Sequence, residues 1–156
     1  MGLKSPTLFP IFYKIMIYYF AYGSNMNEGQ MKERCPDSKL IGKAVLKDYR
    51  LAFTIYSPKR KSGCADIIKS AGNDVCGLIY TLTKEDLAKL DRFEGHPTHY
   101  KRFQVKLENG ISAETYEVVN KEKLHQKPSK EYLDLLINAS RKHNFPREYQ
   151  EFLKKV

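Results

Sequence analysis

The apolar residues of this chain change period along its length: alternating, β-rich runs fill most of it, and helical spacing takes over after Pro128. Lys14 to Ala21, rich in Ile, Tyr and Phe, predicts a first strand ending at Tyr22-Gly23. Asn25 with Glu28 three residues on predicts an N-cap for a short helix through Met26, Gln30 and Met31 that stops before Pro36. Ala44 to Tyr56 predicts a long strand bent around Lys47-Asp48, followed by a basic loop and two further strands, Ala65 to Ile68 and Val75 to Leu82. Thr83 with Asp86 opens a helix whose apolar positions Leu87, Leu90 and Phe93 share a face, and Gly95 is placed to end it, with Glu94 at its C-terminus. Tyr100 to Leu107 and Ile111 to Val119 predict a hairpin closed by the two-residue turn Asn109-Gly110. Beyond Pro128, Ser129 caps a helix with Tyr132, Leu135, Leu136 and Ala139 along one face up to about Lys142, and a last short helix runs from Pro146 to the end.

No internal repeat and no low-complexity linker interrupts these elements, so they belong to one domain. Strands with interposed helices but no regular βαβ rhythm predict an α+β fold: a small, mostly antiparallel (mixed) sheet, curled or closed into a barrel, flanked by α-helices. A length of 156 residues is enough to bury one core without staples, and eleven Tyr and eight Phe with no Trp suit aromatic-rich strands. Cys35, Cys64 and Cys76 are odd in number and form no C-x-x-C pair, which points to reduced thiols and a cytoplasmic setting rather than to disulfides or a zinc ribbon. Leu8 to Phe20 is apolar but broken by Pro10 and Lys14 and too short to span a bilayer. Cleavage of a signal peptide after Ala21 would cut through the Tyr22-Gly23-Ser24-Asn25 segment. Met16 is an alternative start, which makes residues 1–15 an N-terminal extension to a domain of residues 16–156.

Charge adds a preference for anions without choosing among them: 27 Lys and Arg face 18 Asp and Glu, a net charge of +9. The densest run, Lys59-Arg60-Lys61, has no interleaved aromatics to stack on bases, so it reads as a solvated loop and nucleic acid is not the expected partner.

Candidate chemistry sits at three places. In Tyr22-Gly23-Ser24-Asn25 a glycine lets the chain turn sharply into a helix start, presenting several N–H donors to one point; the segment is either an anion site or a plain strand-to-helix connection. Ser24 lacks the second glycine of a nucleophile elbow. Glu94 faces the negative end of its helix dipole, which raises a carboxyl pKa and suits a base, although a Glu at a helix end is commonly a surface residue. Tyr132 on an apolar face is either a core residue or a ligand. His96 and His99 flank Glu94 without a third ligand at metal-binding spacing, so no metal is expected.

Taken together, Ile17-Tyr18-Tyr19-Phe20-Ala21-Tyr22-Gly23-Ser24-Asn25-Met26 closely resembles the signature strand and loop of the gamma-glutamylcyclotransferases. The resemblance continues through Asp74-Val75-Cys76-Gly77-Leu78-Ile79-Tyr80 and Leu90-Asp91-Arg92-Phe93-Glu94-Gly95, whose Glu-Gly matches the family's catalytic glutamate. Pro128-Ser129-Lys130-Glu131-Tyr132 is similar to the family segment whose tyrosine lines the substrate pocket, and Phe145 to Leu153 to its closing helix. The resemblance implies a small β-barrel flanked by helices, no cofactor, Glu94 as acid/base, and Tyr19, Phe20, Ala21, Tyr22, Gly23, Ser24, Asn25 and Tyr132 around a γ-glutamyl substrate. It further implies release of 5-oxoproline from a γ-glutamyl amino acid, a γ-glutamylamine or a γ-glutamyl-protected biosynthetic intermediate, by a chain that needs no membrane and for which a homodimer is allowed. Residues 1–15 have no counterpart in it, and Tyr56 to Cys64 is more basic than the family pattern; such a rim favours an anionic leaving group, hence γ-glutamyl amino acids. The rival is a non-catalytic module that keeps the anion site and holds RNA or a protein on its basic surface, a reading that gives Glu94 nothing to do.

Overall fold

The computed structural model describes residues 15–156. In chain order these form β1 (Ile17–Ala21), a 3-10 turn (Ser24–Met26), α1 (Glu28–Arg34), β2 (Lys39–Ser57), β3 (Ser62–Leu82), α2 (Lys84–Glu94), β4 (Tyr100–Lys106), β5 (Ser112–Val118), α3 (Lys130–Lys142) and α4 (Arg147–Lys154). The expected N-terminal extension, apart from Ile15, lies outside the described residues. None of the described helices is long and apolar enough to cross a membrane.

The sheet has the order β2-β3-β1-β5-β4, antiparallel except where β1 meets β5. A strand at the centre of a sheet covered on both faces reads as a continuous apolar run. Accordingly Tyr19, Phe20 and Ala21 of β1 and Val75 to Leu82 of β3 are buried almost without interruption. The bend expected at Lys47-Asp48 is present: pairing skips a residue there, Asp48 adopts φ 62°, and its Oδ1 accepts from Gly72 N–H at 3.0 Å. The two strands expected at Ala65–Ile68 and Val75–Leu82 are instead one, because the exposed polar stretch between them is the same bend seen from the partner strand.

Below the bend the hairpin leaves β1 and curls over the sheet. The chain after β4 and β5 then returns to β2: Glu108 N–H donates to Val45 O, Glu122 N–H to Thr54 O and Gln126 N–H to Phe53 O, at 2.8–2.9 Å. No strand pairing joins β2 to β4, so the expected barrel is a curled sheet left open. Asp66, fully buried in β3, fastens this curl. Its carboxylate accepts from Thr54 Oγ1 of β2 (2.7 Å), from Val118 N–H of β5 (2.9 Å) and from Lys121 Nζ (2.7 Å).

Helix ends follow side-chain capping closely. Thr83 and Ser129 accept from the N–H of Asp86 and Tyr132, as their sequence positions predict. For α1 the cap is Asn27 rather than Asn25, its side chain accepting from Gln30 N–H at 2.8 Å; Asn25 is absorbed into the preceding 3-10 turn. Phe93 leaves the apolar face of α2 expected for it and is 58% exposed. The β4–β5 connection is one residue longer than the expected two-residue turn: Leu107 N–H bonds Ile111 O, and Gly110 sits at φ 88°.

Replacing Asp66 by Ala removes the acceptor of four donors, Thr54 Oγ1, the N–H groups of Ile67 and Val118, and Lys121 Nζ. The loss expected in denaturant titration is about 3–5 kcal/mol, and a loss under about 1 kcal/mol would show that water takes its place at the fastening.

Candidate active site

β1 hands the chain directly to a turn whose hydrogen bonds use only two of its amides: Met26 N–H to Gly23 O and Asn27 N–H to Ser24 O, both 3.0 Å. The N–H groups of Gly23, Ser24 and Asn25 stand outside those bonds, as the first amides of any helical turn do. A Cβ on Gly23 would lie 3.2 Å from both the Ala65 Cβ and the Tyr132 hydroxyl, so glycine is what lets β3 and α3 close on this turn. Between the turn, the C-terminal end of α2 and the tip of the β2–β3 hairpin lies a cavity of about 370 Å³.

Glu94 forms one wall. Gly95, at φ 66°, ends α2 with Gly95 N–H on Arg92 O (3.2 Å) and His96 N–H on Asp91 O (2.9 Å), a Schellman closure that turns the chain away immediately after Glu94. The Glu94 side chain is only 16% exposed. Burial pushes its carboxyl above the usual carboxylate range, and Arg34, the hydrogen bond from Asn25 and Arg60 only partly oppose this. The negative end of the α2 dipole acts in the same sense as burial.

Asn25, itself buried, couples this carboxylate to the turn. Its Nδ2 donates to Glu94 Oε1 (3.1 Å) and to the Tyr19 hydroxyl (3.0 Å). Its Oδ1 accepts from Gln30 Nε2 (2.9 Å) and Arg34 Nη1 (3.1 Å), while its backbone oxygen accepts from the Tyr80 hydroxyl (3.0 Å). A carboxylate on one side and a guanidinium on the other leave the amide a single sensible orientation.

The cavity tyrosines divide by where their protons go. Tyr22 donates to Tyr116 O (2.6 Å), Tyr100 to Ala65 O (2.9 Å) and Tyr116 to Asp91 Oδ1 (2.7 Å). Tyr19 and Tyr132 accept instead, from Asn25 Nδ2 and from Ala65 N–H (2.9 Å), which leaves each hydroxyl proton to be donated into the cavity. Burial pushes both hydroxyls above the ordinary tyrosine range, so they stay protonated.

Of the residues singled out from sequence, Glu94, Tyr19, Tyr22, Gly23, Ser24, Asn25 and Tyr132 all line this one cavity. Phe20 and Ala21 do not: Phe20 is fully buried with its ring against Gly77, where an added Cβ would lie 2.6 Å from Cε2, and Ala21 is sealed in the sheet. His99 lines the cavity, whereas His96 Nδ1 accepts from Arg102 N–H (3.0 Å). No three His, Cys, Asp or Glu side chains cluster as a metal site among the described residues. Sequence reasoning missed Arg34, Arg92, Tyr100 and Tyr116, which arrive from four separate elements or their edges and carry no local signal. Arg60 was visible only as part of a basic run.

A pocket that sets one buried, raised-pKa carboxylate against hydroxyl and amide donors is that of an acid/base enzyme for a small polar substrate. The comparisons with known proteins narrow this. The sequence model of the family described as gamma-glutamyl cyclotransferase, AIG2-like, matches residues 19–134. The human gamma-glutamylcyclotransferase is 31% identical over 147 residues, covering 88% of this chain and 77% of the relative. A solved gamma-glutamyl cyclotransferase structure superposes with a TM-score of 0.84 at 30% identity, over 91% of this chain and 88% of that one. YkqA from Bacillus subtilis gives 0.75 at 28% identity, over 91% of this chain and 54% of its own. The chain belongs to the gamma-glutamyl cyclotransferase, AIG2-like family and is an enzyme of that type.

Because the folded carboxyl of Glu94 titrates above its ordinary value of 4.5, the native state binds the extra proton between the two values. Stability therefore falls as pH rises through that window and stays lower above it. Glu94→Gln removes the buried charge, so its thermal midpoint at pH 7.5 is expected to equal or exceed that of the wild type, with the gap shrinking below about pH 4. A variant melting clearly lower at pH 7.5 would contradict the burial assigned to this group.

Proposed function

We propose that the chain cleaves a γ-glutamyl amide, a γ-glutamyl amino acid in the first instance, by cyclising it to 5-oxoproline with Glu94 as the acid/base. The observation that carries this reading is the 3.1 Å bond from Asn25 to Glu94, which sets a raised-pKa carboxylate beside the free amides of the Gly23–Asn25 turn.

In the reaction so read, the turn amides and the protons of Tyr19 and Tyr132 face the substrate's α-carboxylate and γ-carbonyl oxygen. Ionised Glu94 takes one proton from the α-ammonium. The amine lone pair then attacks the γ-carbonyl carbon, and the carbonyl π electrons move to oxygen, where the donors stabilise the charge. Collapse restores the carbonyl and breaks the bond to the leaving nitrogen, which receives the proton held by Glu94. The remaining extra proton on the ring nitrogen passes to the departing amine or to solvent, leaving a neutral lactam. Ring closure joins two ends of one molecule, so holding the substrate folded supplies as much as about 10 kcal/mol of the barrier. A raised pKa makes the Glu94 carboxylate a stronger base toward the α-ammonium.

The reading favours γ-glutamyl amino acids because Arg34, Arg60 and Arg92 line the cavity beside a single carboxylate, an excess of positive charge that repels a cationic leaving amine.

The test is 5-oxoproline release from a panel of γ-glutamyl amino acids and γ-glutamylamines by wild type and Glu94→Gln together. Loss of a general base is expected to lower kcat by roughly 10²–10⁴-fold, and a variant that turns over nearly as fast as the wild type would remove Glu94 from the mechanism. In the wild type, kcat/KM should fall at low pH through an ionisation lying above 4.5; an activity that rises as the pH is lowered would invert the assigned role.

A further inference from the structure

The tip of the β2–β3 hairpin carries Arg60 across the cavity. Its guanidinium stacks over the Tyr132 ring, 5.4 Å from the centroid, and Nη2 bonds Gln30 Oε1 (2.8 Å) and Ser24 Oγ (3.3 Å). Both acceptors are uncharged. Arg34, by contrast, already faces a carboxylate, 3.8 Å from Glu94 Oε1, and Arg92 stands exposed at the rim. None of the ion pairs between described residues uses Arg60. A guanidinium has five N–H donors in a planar fork, so with Nη2 engaged the Nε–H and the two Nη1 hydrogens remain for an incoming anion.

Its place in the cavity says which anion. Glu94, Asn25 and the turn amides lie at the inner wall, where the γ-glutamyl half of a substrate must sit for its amine to reach both base and carbonyl. Arg60 borders that part of the cavity, with Nη2 on Ser24 Oγ, but is half-buried on a hairpin tip whose neighbours Tyr56 and Pro58 are exposed. A leaving group that runs from the γ-carbonyl toward this exposed tip would meet the remaining guanidinium donors. Stacking on Tyr132 and the two neutral hydrogen bonds hold the guanidinium in place before the substrate arrives, which limits the ordering entropy of binding.

Resting on the cyclotransferase reading, we propose that Arg60 is the specificity-determining residue for the leaving group: it receives a carboxylate borne by the departing amine and so selects γ-glutamyl amino acids over γ-glutamyl amides of simple amines. The residue acts on the half of the substrate that is released, not on the half that cyclises.

Two substrates that differ only in this carboxylate test it, γ-glutamyl-L-alanine and γ-glutamylethylamine, with 5-oxoproline release measured for wild type, Arg60→Gln and Arg60→Lys. Wild type is expected to favour γ-glutamyl-L-alanine in kcat/KM by on the order of ten- to a hundredfold, the worth of one charge-assisted contact. Arg60→Gln should lower turnover of both substrates through its interactions with Ser24, Tyr132 and Glu94 but erase most of the preference between them, the extra loss appearing in KM for γ-glutamyl-L-alanine; Arg60→Lys should keep part of it, as a point charge without the fork. Equal use of the two substrates by wild type overturns the proposal whatever the variants do. So does an equal fall on both in Arg60→Gln, which would place Arg60 on the γ-glutamyl half. Release from neither substrate by wild type would instead bring down the cyclotransferase reading itself and this inference with it.

Discussion

The structure turns on a side-chain amide that must serve a carboxylate and a guanidinium at once. Asn25 is buried among aromatic rings, and an amide there is tolerated only when its donors and acceptor are all met. Its partners come from β1, α1, the last residue of α2 and, through the backbone oxygen, β3. The site is therefore not a set of side chains placed on a finished scaffold. Meeting the requirements of one buried polar group is what brings the turn, the carboxylate and its balancing arginine to a common point.

Around that node the energetics pull in two directions. Burial raises the free energy of ionised Glu94, and Arg34 and Asn25 return part of it without restoring an ordinary carboxyl. Such an incomplete balance is useful to a group that must hold a proton briefly and release it. The tyrosines show the same economy of charge: the ring around the cavity stays neutral because burial raises each hydroxyl, and a neutral hydroxyl can only donate to an oxyanion, not repel it. Farther away, Asp66 with Lys121 and Arg102 with Asp91 and Glu114 are conventional ion pairs that fasten strands and the α2 helix.

Much of this was legible in the chain because the elements that carry it are locally determined. Thr83 and Ser129 announce their helices through capping, Gly95 ends α2 through a conformation that favours glycine, and the apolar run into Tyr22-Gly23 marks a central strand. What escaped was of two kinds. Ser70 to Asp74 reads as a loop because its residues are polar, yet a bent hairpin keeps pairing on either side of an exposed corner, and composition does not distinguish the two. The choice of Asn27 over Asn25 as helix cap, and of Phe20 as core rather than pocket, depends on which face the turn presents, a tertiary outcome. The arginines and tyrosines at the cavity came from distant segments, where only closure of the curled sheet sets them side by side.

The central position of β1 has a bearing on the order in which the molecule can be assembled. The first strand of the described chain pairs on one side with the end of β3 and on the other with β5, nearly a hundred residues later, so its register with β5 waits for most of the polypeptide. Tyr132 arrives later still. A nascent chain therefore exposes its most aromatic strand for most of its synthesis, and the cavity is completed only when α3 lays its tyrosine over Gly23, making the emergence of the working site one of the last events of folding.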